Sequence, residues 1–292
     1  MRRSLTARLA PFAVLPVLLV ACGDDAADTP EATETTAAAE SAEQNCPTIT
    51  EGVLTIATGE PAFPPYVVDN DPTNKQGFEA AVAYAVAAEL GYTDDQVTWV
   101  RTTFDEAIQP GPKTFDFNLQ QYSITEERKA NITFSAPYYT SNQAIVALAG
   151  SAAEGATSIA DLADVKFGVQ AGTTSLQFVN DVITPNEEPF IYDDNVGAKA
   201  ALEANQIDAI VLDLPTAFYV SAVEIEGSSV IGQFPASAGG TTDEFGLVFE
   251  KDNPLAGCVD AAIAALTESG ELAAITEQWM SAETGAPIIP VD

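Results

Sequence analysis

Residues 166–225 read KFGVQAGTTSLQFVNDVITPNEEPFIYDDNVGAKAALEANQIDAIVLDLPTAFYVSAVEI, and this stretch decides the fold. Three short apolar runs, KFGVQ, FIYD and IDAIVLD, alternate with helix-like segments, TSLQFVNDVI, VGAKAALEANQ and TAFYVSAVEI. Alternating units of this kind build parallel sheets covered by helices, an α/β fold. The same style continues outward on both sides. Upstream, GVLTIATG (52–59), QVTWVRT (96–102) and FDFNLQQ (115–121) read as strands, and ITFSAPYY (132–139) begins another extended segment. Between them FEAAVAYAVAAELG (78–91) reads as an alanine-rich helix closed by Gly91. Downstream, residues 252–280 read as two helices separated around Gly270. About 245 residues are available for this fold, enough for two lobes or one large domain.

The amino terminus differs in kind. Arg2, Arg3 and Arg8 precede an apolar run of about a dozen residues, too short for a span of ~20 residues but suited to an export signal over residues 1–21. Leu19-Val20-Ala21-Cys22 resembles the bacterial lipobox, which marks Cys22 for lipidation; the alternative is an ordinary secretory signal with a chance cysteine. Residues 22–46, rich in Ala, Thr, Asp and Glu, lack the apolar surface to offset ordering entropy and read as an acidic tether. With Cys22 lipidated, Cys46 and Cys258 remain as an even pair in a disulfide-permissive compartment. Two free buried thiols are the other possibility.

The formal charge is −32, from 43 acidic and 11 basic residues. Nucleic-acid binding needs a basic surface and is excluded, and anionic lipid would repel the chain, so any membrane attachment falls to the lipid. The chain has no histidine, which removes Ser-His-Asp and Cys-His catalysis and imidazole metal sites. GTTS at Gly172 lacks the lysine of a phosphate loop. No cofactor or metal is expected, and binding is favoured over catalysis.

In open α/β sheets ligands sit outside the carboxyl ends of the strands. After GVLTIATG come Glu60 and Phe63, on a proline-stiffened loop that offers one carboxylate and an aromatic wall, or is simply a rigid solvent loop. After FDFNL comes QQYSITEER, where Ser123 or Thr125 caps a short helix and Ser123-x-x-Glu126 matches a capping box. Arg128 follows, one of two arginines beyond the leader; it is either a surface ion-pair partner or a carboxylate clamp. After KFGVQ, residues 171–175 open a helix whose amides suit an anion, as a plain N-cap also would. After IDAIVLD, Asp213 either caps a helix or receives an ammonium group. Together these groups fit a zwitterion.

The pieces GEPAFPPY, QGFEAAVAYAVAAELGY, SITEERKANITFSAPYY, SIADLADVKFGVQAGTTS, ALEANQIDAIVLDLPTA and LTESGELAAITEQW occur in one order over about residues 50–280. In this the chain resembles the polar-amino-acid family of bacterial ABC-transporter substrate-binding proteins. The resemblance implies a two-lobed periplasmic-binding-protein fold of type II, with two parallel or mixed sheets joined by two crossover strands, NQAIVALA and EFGLVFE. One lobe would combine residues 47–143 with 244–285, the other would hold 146–240, and 286–292 would form a tail. Cys46 and Cys258 would then share a lobe. Arg128 would clamp the carboxylate of an amino acid, with Ser123, Thr173 and Thr174 adding donors and Asp213 accepting the ammonium. Phe63 and Phe104 would wall the side chain, and Gln120, Gln121 and Gln170 would touch it or its backbone. Gln120, Gln121 and Tyr122 depart from the small residues common there, and Glu60 hints at a basic or amide side chain. The implied protein is a monomeric, membrane-anchored lipoprotein on the outer face of the cytoplasmic membrane, serving an ABC permease and its ATPase. A dehydratase of a small carboxylic acid on the same scaffold, or an amino-acid sensor without a permease, are the alternatives.

Overall fold

The structure is a computed structural model describing residues 46–280 and 285–291. The expected signal segment, the lipidation site Cys22 and the tether as far as residue 45 lie outside the described residues.

Strand β1 (Leu54–Gly59) is followed by helix α1 (Phe78–Glu89), β2 (Val97–Thr102), α2 (Phe104–Ile108), β3 (Phe117–Asn118), α3 (Glu126–Lys129) and β4 (Thr133–Phe134). The long β5 (Tyr139–Leu148) leads into β6 (Phe167–Gln170), α4 (Thr174–Phe178), β7 (Phe190–Tyr192), α5 (Asn195–Glu203) and β8 (Ala209–Asp213). Then come α6 (Leu214–Tyr219), β9 (Ser228–Phe234), β10 (Thr242–Phe245), β11 (Val248–Phe249), α7 (Leu255–Ser269) and α8 (Glu271–Met280). Two open mixed sheets result. The first has the order β2-β1-β3-β11-β4, with β1 parallel to β2 and β3 and β11 antiparallel to its neighbours. The second has the order β10-β5-β8-β6-β7, with β9 also lying along β5. The chain passes between the sheets through β5 and again through β10, and these two strands pair with each other, Thr242 opposite Asn142. The second crossing therefore starts two residues before the EFGLVFE stretch.

Both sheets are covered on both faces, and the strand alternation shows how. On β5, Ile145 and Ala147 join Phe167, Val169 and Phe234 in one core, while Ala144 and Val146 join Ile210, Leu212 and Leu202 in another. A run such as IDAIVLD is apolar throughout because successive side chains enter different cores. In the first sheet Leu54 and Ile56 face Phe78, Val82 and Ile263, whereas Ala57 meets Phe115, Tyr122 and Ile132 opposite. Full burial of each large side chain contributes roughly 1.5–3 kcal/mol.

Two details fix the ends of the fold around these cores. Gly77 has φ +104, and a Cβ there would lie 2.3 Å from the Tyr66 carbonyl oxygen. Only glycine lets α1 begin so close to the loop after β1, where the Phe78 and Glu79 amides donate to the carbonyls of Pro65 (2.8 Å) and Tyr66 (3.0 Å). At the carboxyl end, the stretch expected to be a tail docks on the second sheet. Gln233 N–H donates to the Pro287 carbonyl at 2.8 Å, and Ile289 is buried beside Phe234.

A disulfide joins Cys46 to Cys258 on α7, with Cα atoms 5.9 Å apart across a sequence separation of 212. The pairing holds the start of the folded chain against the core of the first sheet, and free thiols are set aside. Replacing Cys258 by Ala is expected to lower stability by about 2–5 kcal/mol, seen as a lower thermal-unfolding midpoint. Reductant should bring the wild-type protein down by a similar amount; identical melts for both would refute the bond.

Candidate functional site

The carboxyl ends of β1, β3, β6 and β8 open onto one cleft of about 380 Å³ between the two sheets. All eleven side chains named from the sequence as ligand contacts line it: Glu60, Phe63, Phe104, Gln120, Gln121, Ser123, Arg128, Gln170, Thr173, Thr174 and Asp213. Their common position follows from the topology, since each lies at or just beyond the end of a strand or in the helical turn after it.

Arg128 is buried, not paired on the surface. The helix that carries it is capped by Thr125, whose hydroxyl accepts the Arg128 N–H at 3.2 Å. Ser123 is not the cap, contrary to the capping-box reading. Residues 122–124 are held extended against the second crossing: the Ile124 amide donates to the Glu244 carbonyl at 2.8 Å, and the Gly246 amide to the Tyr122 carbonyl at 3.0 Å. Ser123 is thereby kept out of the helix, and Glu126 pairs with Lys129 instead. The guanidinium donates through Nη1 to the Ser123 carbonyl (2.7 Å) and through Nη2 to the Gly172 carbonyl (2.9 Å). It lies 5.3 Å from the centre of the Phe104 ring, which stacks on Tyr122 at 4.7 Å. Burial lowers its pKa, with Asp243 acting in the opposite sense, yet a guanidinium stays charged. Two of its five N–H groups are engaged by these carbonyls.

Asp213 is both helix cap and cleft carboxylate. It ends β8 and caps α6, accepting the Thr216 amide at 3.1 Å and the Thr216 hydroxyl at 2.7 Å. It also accepts the hydroxyl of Tyr66 from across the cleft. Burial raises its pKa, and the Tyr66 and Thr216 bonds oppose that rise. The donors crowd Oδ1, whereas Oδ2 accepts only from the Thr216 hydroxyl among these bonds.

The remaining contacts are less simple than the sequence suggested. Glu60 is not a bare carboxylate: it lies 3.5 Å from Arg101 Nε and accepts Asn70 Nδ2 at 2.8 Å. Arg101 also donates to the carbonyls of Gly59 and Asn70. The second arginine of the folded region therefore fixes the loop that carries Glu60. Phe63 has Lys199 over its ring at 4.3 Å, and Lys199 in turn pairs with Glu224 at 2.6 Å. The Thr173 hydroxyl caps α4, accepting the Leu176 amide, and also bonds the Gln170 carbonyl. Thr174 and Ser123 face each other, hydroxyl to hydroxyl, at 3.2 Å. Gln120 accepts the Tyr122 hydroxyl at 2.9 Å, and Gln121 turns its amide onto Glu79.

Sequence reasoning passed over Tyr66, Asp105, Gln143, Asp193, Asp194 and Asp243, which also line the cleft, and Glu79 just behind it. Gln143 bridges the second lobe and the crossing, accepting the Ser175 hydroxyl at 2.7 Å and donating to Asp243. Two of these carried a legible signal. Gln143 interrupts an apolar strand, and Glu79 falls among the buried positions of an alanine-rich helix; each is a polar group that burial obliges to find a partner. Among the described residues no group of three or more Cys, Asp or Glu side chains is arranged to hold a metal.

Comparison with known proteins adds to this geometry. The pattern of bacterial extracellular solute-binding proteins, family 3, matches residues 54–282. The arginine-binding periplasmic protein of Mannheimia haemolytica is 28% identical over 236 residues, covering 80% of this chain and 93% of that one. The L-cystine-binding protein of Escherichia coli K12 is 29% identical over 233 residues, covering 77% and 81%. A solved ancestral arginine-binding protein bound to glutamine matches with a TM-score of 0.65 at 29% identity, over 79% of this chain and 98% of that one.

Glu79 yields a prediction about stability. Burial raises its carboxyl from the ordinary 4.5 to about 7, against the lowering bonds from Tyr138 and Gln121. The folded value exceeds the unfolded one, so its stabilising contribution is full below about pH 4.5 and is lost as pH rises through 7. Glu79→Gln stays neutral throughout. Relative to wild type, the variant is expected to gain up to roughly 3 kcal/mol between about pH 4.5 and pH 8. Chemical-denaturation curves across that range check it; a constant difference would contradict the shift.

Proposed function

The chain belongs to the bacterial extracellular solute-binding proteins, family 3, and from that premise we propose that its cleft captures a cationic L-amino acid for an ABC importer. The observation that carries the choice of ligand is the charge of the lining. Six carboxylates, from Glu60, Asp105, Asp193, Asp194, Asp213 and Asp243, surround the cleft against one cation among its lining residues, Arg128. A free α-carboxylate has one partner of opposite sign there, whereas five carboxylates besides Glu60, which Arg101 already engages, face the ammonium and a basic side chain. The volume suits a small ligand.

In this reading the α-carboxylate meets the N–H groups of Arg128 that the two carbonyls leave over, supported by Ser123 and the amides near Thr173 and Thr174. The fork geometry of arginine allows two parallel bonds. The α-ammonium goes to the Oδ2 side of Asp213. The side chain lies toward Phe63, Phe104 and Glu60, with Gln120, Gln121 and Gln170 around it. No step here is catalytic, and we take the protein as a binder.

The lobes are assigned as residues 47–143 with 244–285 and residues 146–240. Arg128 comes from the first and Asp213 from the second, so a ligand that uses both favours the closed arrangement by the contacts it gains there. A monomer tethered through lipid at Cys22, docking on a permease when closed, completes the proposal. No helix among the described residues is long and apolar enough to cross a membrane. Cys22→Ala should move the protein from the membrane fraction to the soluble one; unchanged fractionation would remove the anchor from the account.

Calorimetry with L-arginine, L-lysine, L-glutamine and L-glutamate tests the ligand class. The cationic pair is expected to bind most tightly, and a preference for glutamate would end the charge argument. Arg128→Lys keeps the charge but loses the fork, and should weaken binding at least tenfold, about 1.4 kcal/mol. Equal affinity would remove Arg128 from the carboxylate role.

A further inference from the structure

Behind the cleft wall, Glu79 carries a buried carboxylate that is not itself among the proposed ligand contacts. It is 1% exposed, in the first turn of α1. Its amide donates to the carbonyl of Tyr66, the residue whose hydroxyl reaches Asp213. Its carboxylate accepts the Gln121 backbone N–H at 2.8 Å and Gln121 Nε2 at 2.5 Å. It also accepts the hydroxyl of Tyr138, which precedes the crossing strand β5. One residue therefore ties together the loop after β1, through its amide, and Gln121 and the root of a crossing, through its carboxylate.

Gln121 needs such a tie. Its φ is +50, in the left-handed region that non-glycine residues seldom adopt. Two residues on, the Ser123 carbonyl accepts Arg128 Nη1 at 2.7 Å. The crossing holds residues 122–124 from one side and Glu79 holds Gln121 from the other, so the acceptor that aims the guanidinium is placed by both ties. We propose that Glu79 is a positioning residue for ligand binding: its ionised carboxylate holds Gln121 in its left-handed turn and so sets Arg128. Amino-acid affinity then depends on the protonation of a group that does not touch the ligand. The inference rests on the amino-acid reading of the cleft.

The chemistry gives the direction. Ionised, the carboxylate is acceptor-only and takes all three donors; protonated, it keeps them all only where the Tyr138 hydroxyl reverses to accept the hydrogen, and a hydrogen turned to either Gln121 N–H group costs that bond. The titratable groups acting with Glu79 are Tyr66, Tyr122 and Tyr138 from its own half and Asp213 from the other. None of these is cationic, so an ammonium group arriving beside Asp213 favours the ionised form of Glu79. Burial already brings this carboxyl to about 7, which puts the change in the neutral range. Affinity should therefore strengthen as pH rises through 7. A ligand that lowers this pKa by about one unit binds roughly tenfold tighter above the transition than below it.

The test is calorimetric titration of the full chain with L-arginine from about pH 5.5 to pH 8.5. Wild type is expected to bind roughly tenfold tighter at the upper end, and Glu79→Gln to give a flat profile at the weaker level. A flat wild-type profile, or a rise that Glu79→Gln leaves intact, would overturn the proposal. A second measurement needs neither a ligand nor the variant. The Gln121 amide resonances of the wild-type protein should titrate with a midpoint near 7; shifts that stay constant would overturn the positioning role. Failure of L-arginine to bind at any pH would instead sink the ligand assignment, with the Gln121 titration still deciding the role of Glu79.

Discussion

The arrangement depends on one buried guanidinium. Arg128 reaches a carbonyl on its own side of the cleft and another, Gly172, on the opposite side. Desolvating a guanidinium is costly unless donors and partners match, and the surroundings answer that need. Phe104 lies against it, Asp243 supplies opposite charge nearby, and the Ser123 carbonyl is fixed because residues 122–124 are zipped to the second crossing. The backbone that aims Arg128 is thus part of the connection between the halves. The seat of Arg128 and the second crossing therefore share the same segments.

The other contacts across the cleft repeat this economy. Tyr66 meets Asp213, Ser123 meets Thr174, and Lys199 lies over Phe63. Each joins a residue after a strand of one sheet to a residue after a strand, or on a helix, of the other. Such contacts exist only when the halves are together. Glu79 illustrates the tension in a site of this sort: the ionised carboxylate organises Gln121, yet burying it opposes folding at neutral pH. Function and stability pull the same proton in opposite directions, as strained functional sites often require.

Much of this was legible in the sequence. The apolar runs at residues 166–170 and 207–213 announced strands buried on both faces, and the rule that ligands gather beyond strand ends brought Glu60, Arg128, Thr173 and Asp213 together on paper as they are in space. The capping box at Ser123 misled because the same letters serve an extended segment once a distant strand, residues 244–246, supplies its partners. Glu60 looked like a free carboxylate because its partner Arg101 is 41 residues away in sequence, on the neighbouring strand. Local pattern carries no information about such pairings.

The amino-acid order by itself determined the α/β alternation, the ends of the main helices and the net acidity of the chain, because periodicity, glycine stops and charge are local or summed properties. Tertiary structure alone decided which carbonyls receive Arg128, that Tyr66 crosses to Asp213, and that Glu79 stands behind Gln121. Those choices depend on how two sheets approach one another and on which groups lose water when they do. Desolvation and long-range hydrogen bonding act on neighbours in space, and the chain supplies those neighbours only once it has folded.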